Sequence, residues 1–211
     1  AHDEAASIDD ALVAVRTAAA AVAPVGVTLV VVADACTDTT AAKARLALSN
    51  GPDLVVTTEH SSAGSARRDG VAAALETSTT PLDRIWLAST DADTIVPADW
   101  LARQLDAAAN GLDGIAGVVT LTPAHDASNT LVERFARHYR INADGTHDHV
   151  HAANLGVRAS AYRAVGGWGA LTTGEDHDLW AKLYRCGFVL GSSADLTVST
   201  SARRTGRAPH G

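Results

Sequence analysis

Residues Val27 to Val32 form a β-branched and apolar run that ends at Ala33-Asp34. A strand this uniform is buried on both faces, because a half-exposed strand alternates apolar with polar residues. Leu54 to Thr58 and Ile85 to Ser89 are two further strands, with helical spacing between the three. Ile8, Leu12 and Val15 recur at helical intervals behind Ser7, which reads as a capping residue with Asp10 three positions on. Asp38-Thr39-Thr40 opens a second helix that stops at Asn50-Gly51-Pro52, and Ala63 to Glu76 reads as a third. Pro97 opens a fourth, which Asn110-Gly111 closes. This alternation predicts βαβ units and a mainly parallel central sheet flanked by helices, an α/β fold.

Further along, Gly114 to Thr120 and Ala153 to Val157 read as strands. Ser128 to Ala143 reads as a helix with Leu131, Phe135 and Tyr139 on one face. Ser160 to Val165 and Glu175 to Cys186 read as helices closed by glycine, and Phe188 to Leu190 and Leu196 to Thr200 as extended chain. No repeat or linker divides the sequence, so residues 1–211 are expected to form one domain. At 46% apolar, the chain can bury a core. Its formal charge of −7 disfavours nucleic acid as a partner. Two cysteines cannot build a disulfide framework or a four-thiolate zinc site. The longest apolar run, about six residues around Leu29 to Ala33, is far short of the ~20 needed to cross a bilayer. With no signal peptide or lipidation motif, a cytoplasmic location is expected, with peripheral attachment to the inner membrane face as the second expectation.

Ligands of such folds sit at the carboxyl ends of the strands. Three acidic groups fall there or nearby. Asp34 follows the first apolar strand and is expected to face the crevice, whereas Asp38 is expected to cap the next helix. Asp91 and Asp93 follow the Ile85 strand at i, i+2; on extended chain their carboxylates would share one side. A divalent cation would relieve their repulsion, and hard oxygen donors suit Mg²⁺ or Mn²⁺. Glu175, Asp176 and Asp178, with His177, open a helix, and one of these carboxylates could serve as a general base. Arg67-Arg68 offers guanidinium groups for phosphate, with a solvated helix face as the alternative. His147, His149 and His151 alternate and would share a face on extended chain, as a metal site or a polar loop.

Together these segments resemble glycosyltransferase family 2, of the GT-A fold. Ala1-His2-Asp3-Glu4 resembles the end of the family's first-strand motif P-A-x-N-E, and the strand itself is expected to be missing, as is a C-terminal segment. Val31 to Asp38 resembles V-V-D-D-G-S-T-D, with Ala33 and Ala35 replacing an acid and the glycine. Ala66-Arg67-Arg68-Asp69-Gly70 resembles A-R-N-x-G, with Arg68 replacing asparagine. Asp91-Ala92-Asp93 resembles the D-x-D motif, Ala153 to Arg158 with Gly166-Gly167 resembles the acceptor-side segment, and Gly174 to Leu179 resembles the E-D motif. The resemblance implies that Asp34 binds the nucleotide base and Arg67 and Glu175 help hold the nucleotide. It implies further that Asp91 faces the ribose or metal shell, Asp93 ligates Mn²⁺ or Mg²⁺, and Asp176 is the catalytic base. His151, or His149, would complete the metal shell or touch the acceptor. The Q-x-x-R-W signature and the membrane helices of processive members are absent, so the resemblance implies a soluble enzyme, and its metal and base residues imply a metal-dependent inverting transferase. It would move one sugar at a time from a nucleoside-diphosphate sugar to an acceptor hydroxyl on a small molecule, glycan or lipid-linked carrier.

Two other enzymes compete with that reading. A sugar-nucleotide pyrophosphorylase would share the sheet, metal and acids, but should carry a Gly-rich N-terminal loop. A metal hydrolase would use His147, His149 and His151. A non-catalytic nucleotide-sugar binding module is the reading from another class. The basic tail, Ser201 to Arg207 with His210, is expected either to fold over a diphosphate or to lie in solvent.

Overall fold

The apolar segments become strands and the amphipathic ones become helices, close to the expected boundaries. The computed structural model describes residues 1–49, 51–123 and 140–202. In chain order the elements are α1 (Ile8–Ala21), β1 (Val30–Asp34), α2 (Thr40–Ala47), β2 (Leu54–Thr58), α3 (Ala63–Glu76), β3 (Trp86–Ser89), β4 (Thr94–Ile95), α4 (Trp100–Ala109), β5 (Gly114–Pro123), β6 (Leu155–Arg158), α5 (Ala159–Ala164), α6 (Glu175–Arg185) and β7 (Leu190–Ala202). Most of the helix expected over Ser128 to Ala143, and the tail beyond Ala202, lie outside the described residues.

The expected mainly parallel sheet is corrected to a mixed one. β1 and β2 form a parallel pair, and a separate five-stranded sheet runs β3-β6-β5-β7-β4. Only β5 and β7 are parallel in that sheet; β3 with β6, β5 with β6 and β4 with β7 are antiparallel. Strands covered on both faces read as the same apolar runs in either direction, so composition carried no information on polarity. The two extended pieces expected after Phe188 are one strand, β7, whose register against β5 slips between Gly117 and Val118. β1 starts later than its apolar run because the Asp53 carboxylate takes the Leu29 N–H at 2.9 Å. Ser7 does not cap α1 through its side chain; its hydroxyl donates to Glu4 Oε2 at 2.7 Å. Asp38 does act at the start of α2, where Oδ1 accepts from the Thr40 N–H at 2.8 Å.

One core lies between α1, α4 and the five-stranded sheet, around Val15, Ala18, Trp100, Val119 and Leu196. A second joins that sheet to α5 and α6 through Leu155, Val157, Tyr162, Trp168, Leu179 and Leu183. Asn154 is fully buried between the two. It accepts from Trp100 Nε1 at 2.9 Å and donates to the carbonyls of Val118 and Leu196 at 2.9 and 2.8 Å. A buried amide so satisfied locks β5, β7 and α4 together, since unmaking such bonds leaves groups that water cannot reach. This framework holds the ends of β1 and β3 beside the first turns of α3 and α6.

Candidate active site

A cleft of about 1070 Å³ opens where those ends meet. Asp34, Arg67, Asp91, Asp93 and Glu175 all line it. They arrive from β1, α3, the β3–β4 turn and α6, so the strand-end expectation is met for the acids of β1 and β3.

Asp34 is buried and fully engaged. Its Oδ1 accepts from Thr58 Oγ1 at 2.9 Å and from the His60 N–H at 2.6 Å, and its Oδ2 accepts from the Ser62 N–H at 3.0 Å. Burial alone would raise its pKa, but hydrogen bonds from Ser62, Thr58 and His60 outweigh it and hold the carboxyl below its ordinary range. Asp34 therefore ties the β2–α3 loop to the end of β1.

That loop delivers Arg67. Ser62 caps α3, accepting from the Ser65 N–H at 3.3 Å and donating to the Leu171 carbonyl at 3.0 Å. Gly64 lies against the 169–171 backbone, and a Cβ there would strike the Gly169 carbonyl oxygen. The first turn of α3 is thus fixed beside the loop leading into α6, and Gly174, at φ 75°, turns the chain into that helix. Arg67 spans the gap. It donates from Nη1 to Glu175 Oε1 at 2.7 Å and from Nη2 to Asp91 Oδ1. Its guanidinium also lies 5.7 Å from the centroid of the buried Trp168 ring. Burial raises the Glu175 pKa, and the Arg67 charge opposes that rise without cancelling it.

The two D-x-D carboxylates do not share one side. Residues 91–93 form a turn, with the Thr94 N–H donating to the Asp91 carbonyl at 3.1 Å. Asp91 faces Arg67, whereas Asp93 Oδ1 accepts from Thr200 Oγ1 on β7 at 3.2 Å. The i, i+2 rule holds only on extended backbone, and here the backbone turns. Both carboxylates still line the cleft.

Asp176 is directed away from its neighbour Glu175. Its Oδ2 accepts from the Ala152 N–H at 3.1 Å and its Oδ1 from the His177 N–H at 2.8 Å. Glu175 is among the described residues that line the cleft and Asp176 is not. The electrostatic neighbour of Asp176 is His151, whose pKa is lowered by burial against the opposing pull of that carboxylate.

The alternating histidines do share a face. The His147 and His149 ring centroids are 6.0 Å apart, and those of His149 and His151 6.3 Å apart in a stacked pair. They do not gather as a metal site. Among the described residues, the one group of three candidate ligands close enough for an ion is Asp3, Cys36 and Asp38. Asp3 there already accepts from the Thr37 and Asp38 N–H groups at 2.7 and 3.1 Å, so the cluster holds a turn. Trp168 and Thr200 escaped the sequence reading. Trp168 follows Gly166-Gly167 and could have been noticed, but nothing local marks Thr200, whose partner Asp93 lies 107 residues earlier.

The family model for Glycosyl transferase family 2 matches residues 1–166. This chain belongs to glycosyl transferase family 2. Its fold is the GT-A fold seen in solved glycosyltransferases. The mannosyltransferase PcManGT from Pyrobaculum calidifontis, in complex with GDP-Man and Mn²⁺, is similar at 19% identity, with a TM-score of 0.65 over 98% of this chain and 56% of that one. S. aureus TarS 1-349 in complex with UDP is similar at 12% identity, with a TM-score of 0.64 over 95% of this chain and 58% of that one. GalNAc-T7 with UDP, GalNAc and Mn²⁺ is similar at 14% identity, with a TM-score of 0.58 over 82% of this chain and 37% of that one. The family 2 chain therefore spans between about a third and three fifths of these structures. No curated protein matches the sequence. Among the described residues of this family 2 protein, no helix is long and apolar enough to cross a membrane.

Proposed function

We propose that this family 2 protein transfers one sugar, with inversion, from a nucleoside-diphosphate donor to an acceptor hydroxyl, assisted by Mn²⁺ or Mg²⁺. The observation that carries this reading is the convergence of Asp34, Arg67, Asp91, Asp93 and Glu175 on one cleft, with Asp176 on the adjoining turn. The UDP, GDP-Man and Mn²⁺ held by similar structures support it.

The donor set fits a hard divalent cation, because Asp91 and Asp93 line the cleft with carboxylate oxygens and no thiol or imidazole sulfur or nitrogen stands beside them in that turn. Asp93 would hold the ion and Asp91 would share its shell. When bound, such an ion offsets charge growing on a departing diphosphate. The chain's own residues do the rest. Arg67 places a positive charge beside the diphosphate. Asp34 shapes the loop over 60–62 that would border the nucleotide base. Asp176 would take the proton from the acceptor hydroxyl, and attack opposite the leaving group inverts the anomeric carbon.

A thermal-shift screen of UDP, GDP, ADP and TDP with and without Mn²⁺ tests the reading. One nucleotide should stabilise the protein only with metal. A micromolar ligand at millimolar dose adds about 4 kcal/mol. No metal-linked stabilisation by any of the four would refute the proposal. Diphosphate release from a nucleoside triphosphate and a sugar phosphate would assign the protein as a pyrophosphorylase instead.

A further inference from the structure

Arg67 holds its two acids with unequal force. It keeps Nη1 on Glu175 at 2.7 Å and Nη2 on Asp91, and all three residues line the cleft. The Glu175 side chain is 9% exposed and that of Asp91 is 41% exposed. Breaking a buried pair strands a charge that water cannot reach. An exposed pair separates at little cost, because water takes over both groups. The buried Trp168 ring, 5.7 Å from the guanidinium, adds a hold that does not involve Asp91. The Asp91 bond is therefore the exchangeable one, and Nη2 is the group that can change partner while Nη1 stays in place.

That exchange bears on the divalent ion that Asp91 and Asp93 would share. A guanidinium on one Asp91 oxygen opposes a cation on the other. A dication held roughly 6 Å from a guanidinium loses about tenfold in affinity even at the dielectric constant of water. A nucleoside diphosphate reverses the balance. It carries more negative charge than one exposed carboxylate, and its oxygens suit the bidentate, charge-assisted bonds that a guanidinium makes.

We propose that Arg67 is an exchangeable counter-ion that couples metal binding to nucleotide binding, an inference that rests on the transferase reading of the cleft. Anchored on Glu175 and Trp168, the guanidinium screens Asp91 from a divalent cation until a diphosphate draws Nη2 away. Asp91 then opens to the cation, so the two ligands enter cooperatively and the metal alone binds weakly. Glu175 is the pivot of this exchange, which gives a buried acid at the first turn of α6 a role separate from that of Asp176.

The test measures Mn²⁺ binding, through loss of the free-ion electron paramagnetic resonance signal, in three chains. These are the 211-residue chain, Arg67→Gln, and Arg67→Gln combined with Glu175→Gln. The double variant keeps the net charge of the unaltered chain and leaves no buried acid facing a lost guanidinium, so it carries the test even if the single variant does not fold. Without nucleotide, both variants should bind Mn²⁺ about tenfold or more tightly than the unaltered chain. Saturating UDP or GDP should then raise the Mn²⁺ affinity of the unaltered chain about tenfold more than that of either variant. Equal Mn²⁺ affinity without nucleotide, in chains shown to be folded by a cooperative thermal transition, would overturn the proposal and leave the transferase reading standing. A gain confined to the single variant would overturn it too, because the gain would follow net charge rather than release of Asp91. No Mn²⁺ binding by any of the chains, with or without nucleotide, would overturn both this proposal and the metal-assisted reading beneath it.

Discussion

Two acidic pairs reach the same arginine from different elements, and both are divided in the same way. In the β3–β4 turn Asp91 engages Arg67, while Asp93 accepts from a Thr200 hydroxyl. In the first turn of α6 Glu175 engages Arg67, while Asp176 accepts from two backbone N–H groups. Each inner acid is engaged by the Arg67 guanidinium, and each outer acid is turned towards other groups. Under the proposed function the outer acids carry the chemistry, and both inner acids help hold the cleft in shape through Arg67.

The sharpest test of that division is kinetic. Asp176→Asn should lower turnover by about 10²–10⁴-fold, the usual contribution of a general base, with nucleotide affinity retained. Asp93→Asn should instead abolish the Mn²⁺ dependence of nucleotide binding, read by calorimetry. If either variant behaves like the corresponding inner substitution, Asp91→Asn or Glu175→Gln, the division fails.

Arg67→Ala should act mainly on stability. It leaves Asp91 and Glu175 facing each other, and breaking a buried pair costs about 3–5 kcal/mol. Because the Asp91 side chain is 41% exposed, we expect about half of that. Adding Glu175→Gln should recover part of the loss, and additive denaturant midpoints would show that the two residues are not coupled.

The pH dependence separates Glu175 from Asp34. Burial raises the Glu175 pKa above 4.5, so between 4.5 and the raised value the folded state binds more protons than the unfolded one. Its contribution to stability declines as pH rises through that window, and Glu175→Gln should remove the decline. Asp34 has the opposite sign. Its pKa lies below 3.8, so its stabilisation is present above 3.8 and is lost as pH falls through the folded value. Denaturation series on Asp34→Asn should show a flatter acid limb.

The smallest effect concerns the turn beyond Asp34. Ala35 stands at φ 48°, in the left-handed region that favours glycine. Ala35→Gly should stabilise by up to about 1 kcal/mol, the strain relieved less the added chain entropy. A lower Tm in that variant would mean that Ala35 is not strained.

Much of the site was legible before any coordinates. Asp34, Asp91 and Asp93 follow apolar strands, and chain ends at that edge of a sheet surround a crevice. Glu175 and Asp176 open a helix, where acids are expected in any case, so the sequence could not say which of them faces Arg67. The partition depends on Gly174 and on the loop packed against Gly64, both tertiary features. Thr200 was illegible for a simpler reason: its contact with Asp93 depends on how β7 registers against β4.

Local patterning and motif order were enough to establish the alternation of strands and helices, the acids at the strand ends and the family. Strand polarity, the break between β1 and β3, and the separate fates of the two acids in each pair came only from the folded chain. Periodicity records whether a side chain is buried. It does not record which neighbour buries it, and that neighbour comes from residues distant in sequence.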